Sequence, residues 1–190
     1  MSKIVSSNLP LSGNGRNALD VATEAARKAG DIIKTHLSGI KNIESKGNRN
    51  LVTNIDLLAD KCITEILNHE FPEHAILCEE SAKKETGSDY CWIIDPLDGT
   101  TNFAFGIPHV AVSVGLTFRD DILLGVIYDP VRDEMFKAEK GKGSFLNDSL
   151  IVVKNKKKPK TTLIGADLGY DDSKTQLALA KIHSFWSSDK

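Results

Sequence analysis

Trp92-Ile93-Ile94-Asp95-Pro96-Leu97-Asp98-Gly99-Thr100-Thr101-Asn102-Phe103 is the stretch on which the reading of this chain turns. The apolar run from Cys91 to Ile94 suits a buried strand that delivers Asp95 and its successors at its C-terminal end. Pro96 sets its own φ and holds Asp95 extended, and Gly99 permits a tight reversal, so Asp95 and Asp98 can converge. Thr100 to Phe103 has the composition of a helix start, where free N–H groups and the helix dipole attract an anion. A strand, an Asp-Pro turn and a helix cap without further role would read the same way. A second acidic cluster is needed to favour a site.

Glu79-Glu80-Ser81 comes directly after the apolar run Ala75 to Cys78 and supplies that cluster. Two like charges about 4 Å apart cost about 4 kcal/mol at an effective dielectric near 20, unless a cation or solvent compensates. Glu80 fits an exposed acidic loop nearly as well as a site. Asp56 precedes a helical pattern and serves most simply as an N-cap or first-turn residue. Convergence of Asp56, Glu79, Asp95 and Asp98 would gather about four negative charges and call for two or three divalent cations. With the Leu97 carbonyl between the aspartates, the donors are hard oxygens of the kind magnesium takes, which points to multi-metal phosphoryl transfer.

Outward from this segment, Ala18 to Leu37 carries apolar residues at helical spacing, with Gly39 as a stop. Residues 40–55 read as a turn-rich loop. A second helix is expected on Leu57, Leu58, Cys62, Ile63, Ile66 and Leu67, ended by Pro72. Val110 to Leu116, Leu123 to Tyr128, Met135 to Lys140 and Leu150 to Lys154 read as strands, the first two in an antiparallel meander, and Thr175 to Phe185 as a last helix. The basic run Lys154 to Lys160 reads as a solvated loop, so a nucleic-acid partner is not expected.

Bulk properties agree with a folded α/β or α+β protein: 190 residues, 41% hydrophobic, 26% charged, formal charge −2. So small a charge excludes global attraction to nucleic acid or anionic lipid. Cys62, Cys78 and Cys91 lack a C-x-x-C spacing and read as reduced thiols filling core or strand. Residues 1–17 hold no apolar signal region, and no stretch approaches a membrane span, so a cytoplasmic protein is expected. His36, His69, His74, His109 and His183 show no zinc spacing and are assigned to surface or helix-end positions. Without a G-x-S-x-G elbow, activation falls to metals.

In order and spacing, Val52-Thr53-Asn54-Ile55-Asp56, Glu79-Glu80-Ser81 and Trp92 to Phe103 resemble the inositol monophosphatase family. The resemblance runs from about Ala18 to the end and includes Gly141-Lys142-Gly143-Ser144-Phe145-Leu146-Asn147, similar to a glycine-rich turn of the family. It implies an α+β, layered α/β, sugar-phosphatase-like fold with two N-terminal helices packed on a mainly antiparallel sheet and the second αβ half largely missing. Residues 1–15 would be a flexible N-terminus, 16–190 the N-terminal metal-binding part, with a C-terminal part starting from about residue 160.

The function implied is a lithium-sensitive, magnesium-dependent phosphoric monoester hydrolase, homodimeric, acting on a small phosphorylated metabolite such as an inositol monophosphate. Glu79, Asp95, the Leu97 carbonyl and Asp98 would bind metal, and Asp56 would help hold a further ion. Thr100, with Asp56 and Glu79, would orient and activate the attacking water. The backbone of Gly99, Thr100 and Thr101 would hold the phosphate, with Glu80 and Lys46 as weaker carry-overs. The family's Trp-Asp-x-Ala-Ala-Gly-like motif, source of another ligating aspartate, is absent, and Trp186-Ser187-Ser188-Asp189 has the wrong spacing to replace it. A truncated product is the expectation; the alternatives are an assembly in which a second chain completes the site and a non-catalytic regulatory or binding protein that keeps the fold.

Overall fold

A computed structural model describes residues 9–39, 43–47, 50–81, 83–119, 121–153, 165 and 172–187. Its chain divides into two units, Met1–Glu44 with Leu51–Ile151, and Ser45–Asn50 with Val152–Lys190. The helices are α1 (Ala18–His36), α2 (Asn54–Glu70), α3 (Thr100–Ala104) and α4 (Asp172–Ser187). The strands are β1 (Ile43–Gly47), β2 (Asn50–Thr53), β3 (Ala75–Cys78), β4 (Tyr90–Asp98), β5 (Ala111–Phe118), β6 (Asp121–Asp129), β7 (Glu134–Glu139), β8 (Gly143–Leu146) and β9 (Ser149–Ile151).

Small apolar residues at three- and four-residue spacing define the buried face of α1: Ala18, Val21, Ala22, Ala25, Ala26, Ala29 and Ile33. The Asn17 side chain caps its start by accepting the Leu19 N–H at 2.8 Å. So many alanines allow close approach to the sheet. At Gly30 even a Cβ would stand 2.5 Å from the Tyr128 ring on β6. From residue 9 the N-terminal segment already belongs to the packed unit, since Leu9 is buried in its core.

The main sheet has seven strands in chain order from β3 to β9. β3 and β4 run parallel and every later neighbour is antiparallel. Val112, Val114, Leu116, Leu124 and Val126 are buried with the α1 and α2 stripes in one core. The opposite face carries exposed Ile93 and Ile127 and an open groove of about 460 Å³.

Two expectations are corrected. Residues 40–55 are not simply a loop, because β1 and β2 pair there as a separate two-stranded sheet. The glycine-rich segment holds a strand, β8, paired with both neighbours, because Gly141 at φ 81° supplies the reversal before it and Gly143, its first residue, takes φ 91° as the chain enters the ladder. Lys154 to Lys160 lie outside the described residues. In the second unit the described part is mainly α4, which exposes Leu177, Leu179 and Phe185. Among the described residues no helix is long and apolar enough to cross a membrane.

His74 is also corrected, from surface to interior. It is 8% exposed and stacked between Phe71 and Tyr90 at ring distances of 4.8 Å. Burial, with a smaller contribution from Lys84, pushes its pKa down to about 4. A base with a depressed folded pKa takes up its proton more readily unfolded, so stability is lost as pH falls from about 6.5 towards 4. The loss amounts to about 3 kcal/mol at full burial. Thermal midpoints between pH 7 and 4.5 should therefore fall more steeply in the parent than in His74→Phe.

Candidate active site

Parallel pairing of β3 with β4 sets Cys78 opposite Ile94, so Glu79 and Asp95 leave neighbouring strands at the same level. The Glu79 N–H continues the ladder by donating to the Ile94 carbonyl at 3.2 Å. The carboxyl ends of parallel strands are where α/β sheets place ligands.

Beyond Asp95 the ladder with β5 breaks register. Asp95 faces Ser113 and Asp98 faces Ala111, so β4 spends one more residue than its partner. Pro96 cannot donate to a ladder, and a bulge is where a strand tolerates it. The extra residue turns Leu97 inward, where it is buried, and the Leu97 N–H donates to Asp95 Oδ1 at 3.2 Å. Gly99 comes next at φ 91°, and a Cβ there would lie 2.8 Å from the His109 carbonyl oxygen. α3 starts at Thr100, with half-buried Thr101 as its second residue.

Asp56 enters from α2. Although 1% exposed, it has partners on both oxygens: Oδ2 accepts the Thr53 N–H at 2.8 Å and the Thr53 hydroxyl at 2.5 Å. This is the reciprocal capping arrangement of a helix start. Oδ1 lies 2.8 Å from the Thr100 hydroxyl, which is also 3.0 Å from the Leu97 carbonyl oxygen. One threonine proton serves both acceptors, so Thr100 ties the start of α2 to the turn after β4.

The acidic groups share a field. Burial, then the charges of Glu79 and Asp98 and more weakly Asp56, push Asp95 up to about 7, against the Leu97 N–H that lowers it. A divalent cation would relieve that repulsion, and the donors are all hard oxygens, so the set fits magnesium in kind and in neighbourhood. Among the described residues, however, no three His, Cys, Asp or Glu side chains already stand within the span of one ion's ligands. Glu79 and Asp98 are exposed, Glu80 and Asp95 are half-buried, and Asp56 is enclosed. Lys46 sits on β1, with its side chain outside the described residues.

Sequence reasoning missed Thr53, Asp60 and Cys78. Thr53 was detectable from the Thr-x-x-Asp spacing of a capping box. Asp60 was hidden by the expected apolar pattern: α2 exposes Leu57 and Leu58 and instead buries Ile55, Asp56, Ala59, Asp60 and Ile63. Cys78, read as filler, bonds to Asp60 at 3.1 Å, and burial pushes its thiol up to about 11.

The sequence and the fold both have counterparts among known proteins. The profile of the Inositol monophosphatase family matches residues 15–189. The chain belongs to the inositol monophosphatase family. It is 40% identical over 166 residues to inositol monophosphatase 3 of Solanum lycopersicum, covering 85% of this chain and 62% of that one. To Nus factor SuhB of Pasteurella multocida it is 41% identical over 142 residues, covering 73% of this chain and 53% of the relative. Among solved structures, the extragenic suppressor protein suhB of Bartonella henselae aligns with a TM-score of 0.69 at 37% identity, over 72% of this chain and 54% of that one. An IMPase of Thermotoga maritima aligns at 0.68 and 34%, with the same coverage. This member of the family thus spans little more than half the length of these relatives. Two helices on a mostly antiparallel sheet are what it shares with those inositol monophosphatases.

Proposed function

We propose that the site hydrolyses a small phosphate monoester, inositol monophosphate-like, by magnesium-dependent attack of water. The observation that carries this reading is the tie of Thr100 to both Asp56 and the Leu97 carbonyl, beside Glu79, Asp95 and Asp98. Glu79, Asp95, Asp98, Asp56 and the Leu97 carbonyl would hold the ions. Bound magnesium supplies Lewis-acid charge neutralisation and lowers the pKa of water.

The remaining roles fall to the chain. With its own proton engaged by Asp56 and Leu97, the Thr100 hydroxyl offers lone pairs, accepts a hydrogen bond from the water and orients it. Glu79, exposed at the strand end, would accept the water's proton on a carboxylate oxygen not given to an ion, and return it to the alkoxide that departs as the phosphorus–oxygen bond breaks. The first N–H groups of α3, with Gly99, have no partner within that helix and would face phosphate oxygens. Monoester hydrolysis is so slow unaided that accelerations near ~10²¹ are needed, and charge stabilisation must supply most of them.

Phosphate release from an inositol monophosphate, with and without magnesium, compares the unaltered protein with Asp98→Asn. Release that ignores magnesium, or is as fast in Asp98→Asn, sinks the assignment. A non-catalytic role is the second reading, favoured by relatives that carry the name Nus factor SuhB. Under it the protein would bind a macromolecular partner without releasing phosphate.

A further inference from the structure

We propose that Cys78 and Asp60 are positioning residues for Glu79, the thiol holding the Glu79-Glu80-Ser81 turn in place and the buried carboxylate anchoring the thiol to α2. This inference rests on the reading of Glu79 as a metal ligand. Cys78 is the last residue of β3, and its sulfur is engaged from two sides. Its S–H donates to Asp60 Oδ1 at 3.1 Å. From the other side the backbone N–H groups of Glu80 and Ser81 act on the sulfur and favour its thiolate, against the burial that disfavours it. Glu79 lies in the chain between the thiol and those two N–H groups, so the residue that carries the ligand is placed by what holds Cys78.

Asp60 stands one helical turn after Asp56 on α2, and both are buried, at 4% and 1% exposure. One rigid element thus holds Asp56 directly and Glu79 through Cys78. Their separation is set by helix geometry rather than by an exposed loop. A cysteine that only filled space would leave the carboxylate of Asp60 without this donor, and a buried carboxylate short of donors is costly. Groups that orient metal ligands typically change metal affinity by ~10–100-fold when removed.

The test measures binding of Mn²⁺ as a probe of the magnesium site, by spin resonance and calorimetry on the full chain, with amide exchange read in parallel. Cys78→Ala should weaken Mn²⁺ binding ~10-fold and speed exchange at the Glu80 and Ser81 amides ~10-fold. Cys78→Ser, whose hydroxyl both donates and accepts, should recover most of each loss. Asp60→Ala should weaken Mn²⁺ binding to a similar extent, and the double variant should be little worse than either single one, because both act through one contact. Unchanged Mn²⁺ binding in Cys78→Ala overturns the proposal while leaving the metal site intact. Additive losses, or a serine variant as impaired as the alanine one, overturn it too. Absence of Mn²⁺ binding in the unaltered chain overturns the metal reading of the site and this role with it.

Discussion

Asp95→Asn is expected to raise the thermal midpoint of the metal-free protein at pH 8 while abolishing its stabilisation by magnesium. An acid whose folded pKa is raised binds its proton more tightly folded than unfolded. Its penalty is therefore absent below about pH 4, grows as pH rises towards 7, and is complete at pH 8. The rise from 3.8 to about 7 corresponds to about 4 kcal/mol at full burial, and partial solvent exposure brings it to about 2 kcal/mol, or about 4–8 °C in a chain of this size. Asparagine keeps the acceptor for the Leu97 N–H and removes the charge. In the unaltered protein, magnesium at a hundred times its dissociation constant should add about 3 kcal/mol. A lower metal-free midpoint in Asp95→Asn would show that the carboxylate is not held against repulsion.

Gly99→Ala should unfold about 6–12 °C earlier, a loss of about 3 kcal/mol, because it combines two faults. At φ 91° a side chain is strained, and its Cβ would meet the His109 carbonyl oxygen at 2.8 Å. That oxygen already accepts the Asn102 amide at 2.9 Å and has little room to move. Thermal melting beside Gly125→Ala separates this from a general effect of adding a methyl group to a strand glycine. Gly125 has no atom within 4 Å of its would-be Cβ. Equal midpoints for the two variants would contradict the geometry at Gly99.

The site was legible in the sequence where chemistry and backbone geometry are encoded locally. Asp95, Leu97, Asp98 and Gly99 are spaced by a proline and a glycine whose φ preferences act without tertiary help. Glu79 was legible because it comes straight after a short apolar run, and α1 because its alanine stripe has an unmistakable period. The β1–β2 pairing was not, since residues 40–55 alternate too weakly between apolar and polar to mark strands. β8 was obscured by the glycines around it, which signal a turn more strongly than a strand.

Asp60 and His74 show the limit of periodicity. Both are polar residues whose burial depends on what packs against them, a thiol from another strand for Asp60 and aromatic rings for His74. By itself the sequence determined helices α1 and α2, the antiparallel meander, the family and which acidic residues are candidates for the site, because dihedral preference, hydrophobic period and charge are local properties. Tertiary structure alone decided that β3 and β4 lie parallel so that Glu79 and Asp95 emerge together, that Thr100 reaches Asp56 across 44 positions of chain, and that Cys78 meets Asp60. Such contacts join residues distant in the chain, and only the packing of helix on sheet brings them within hydrogen-bond reach.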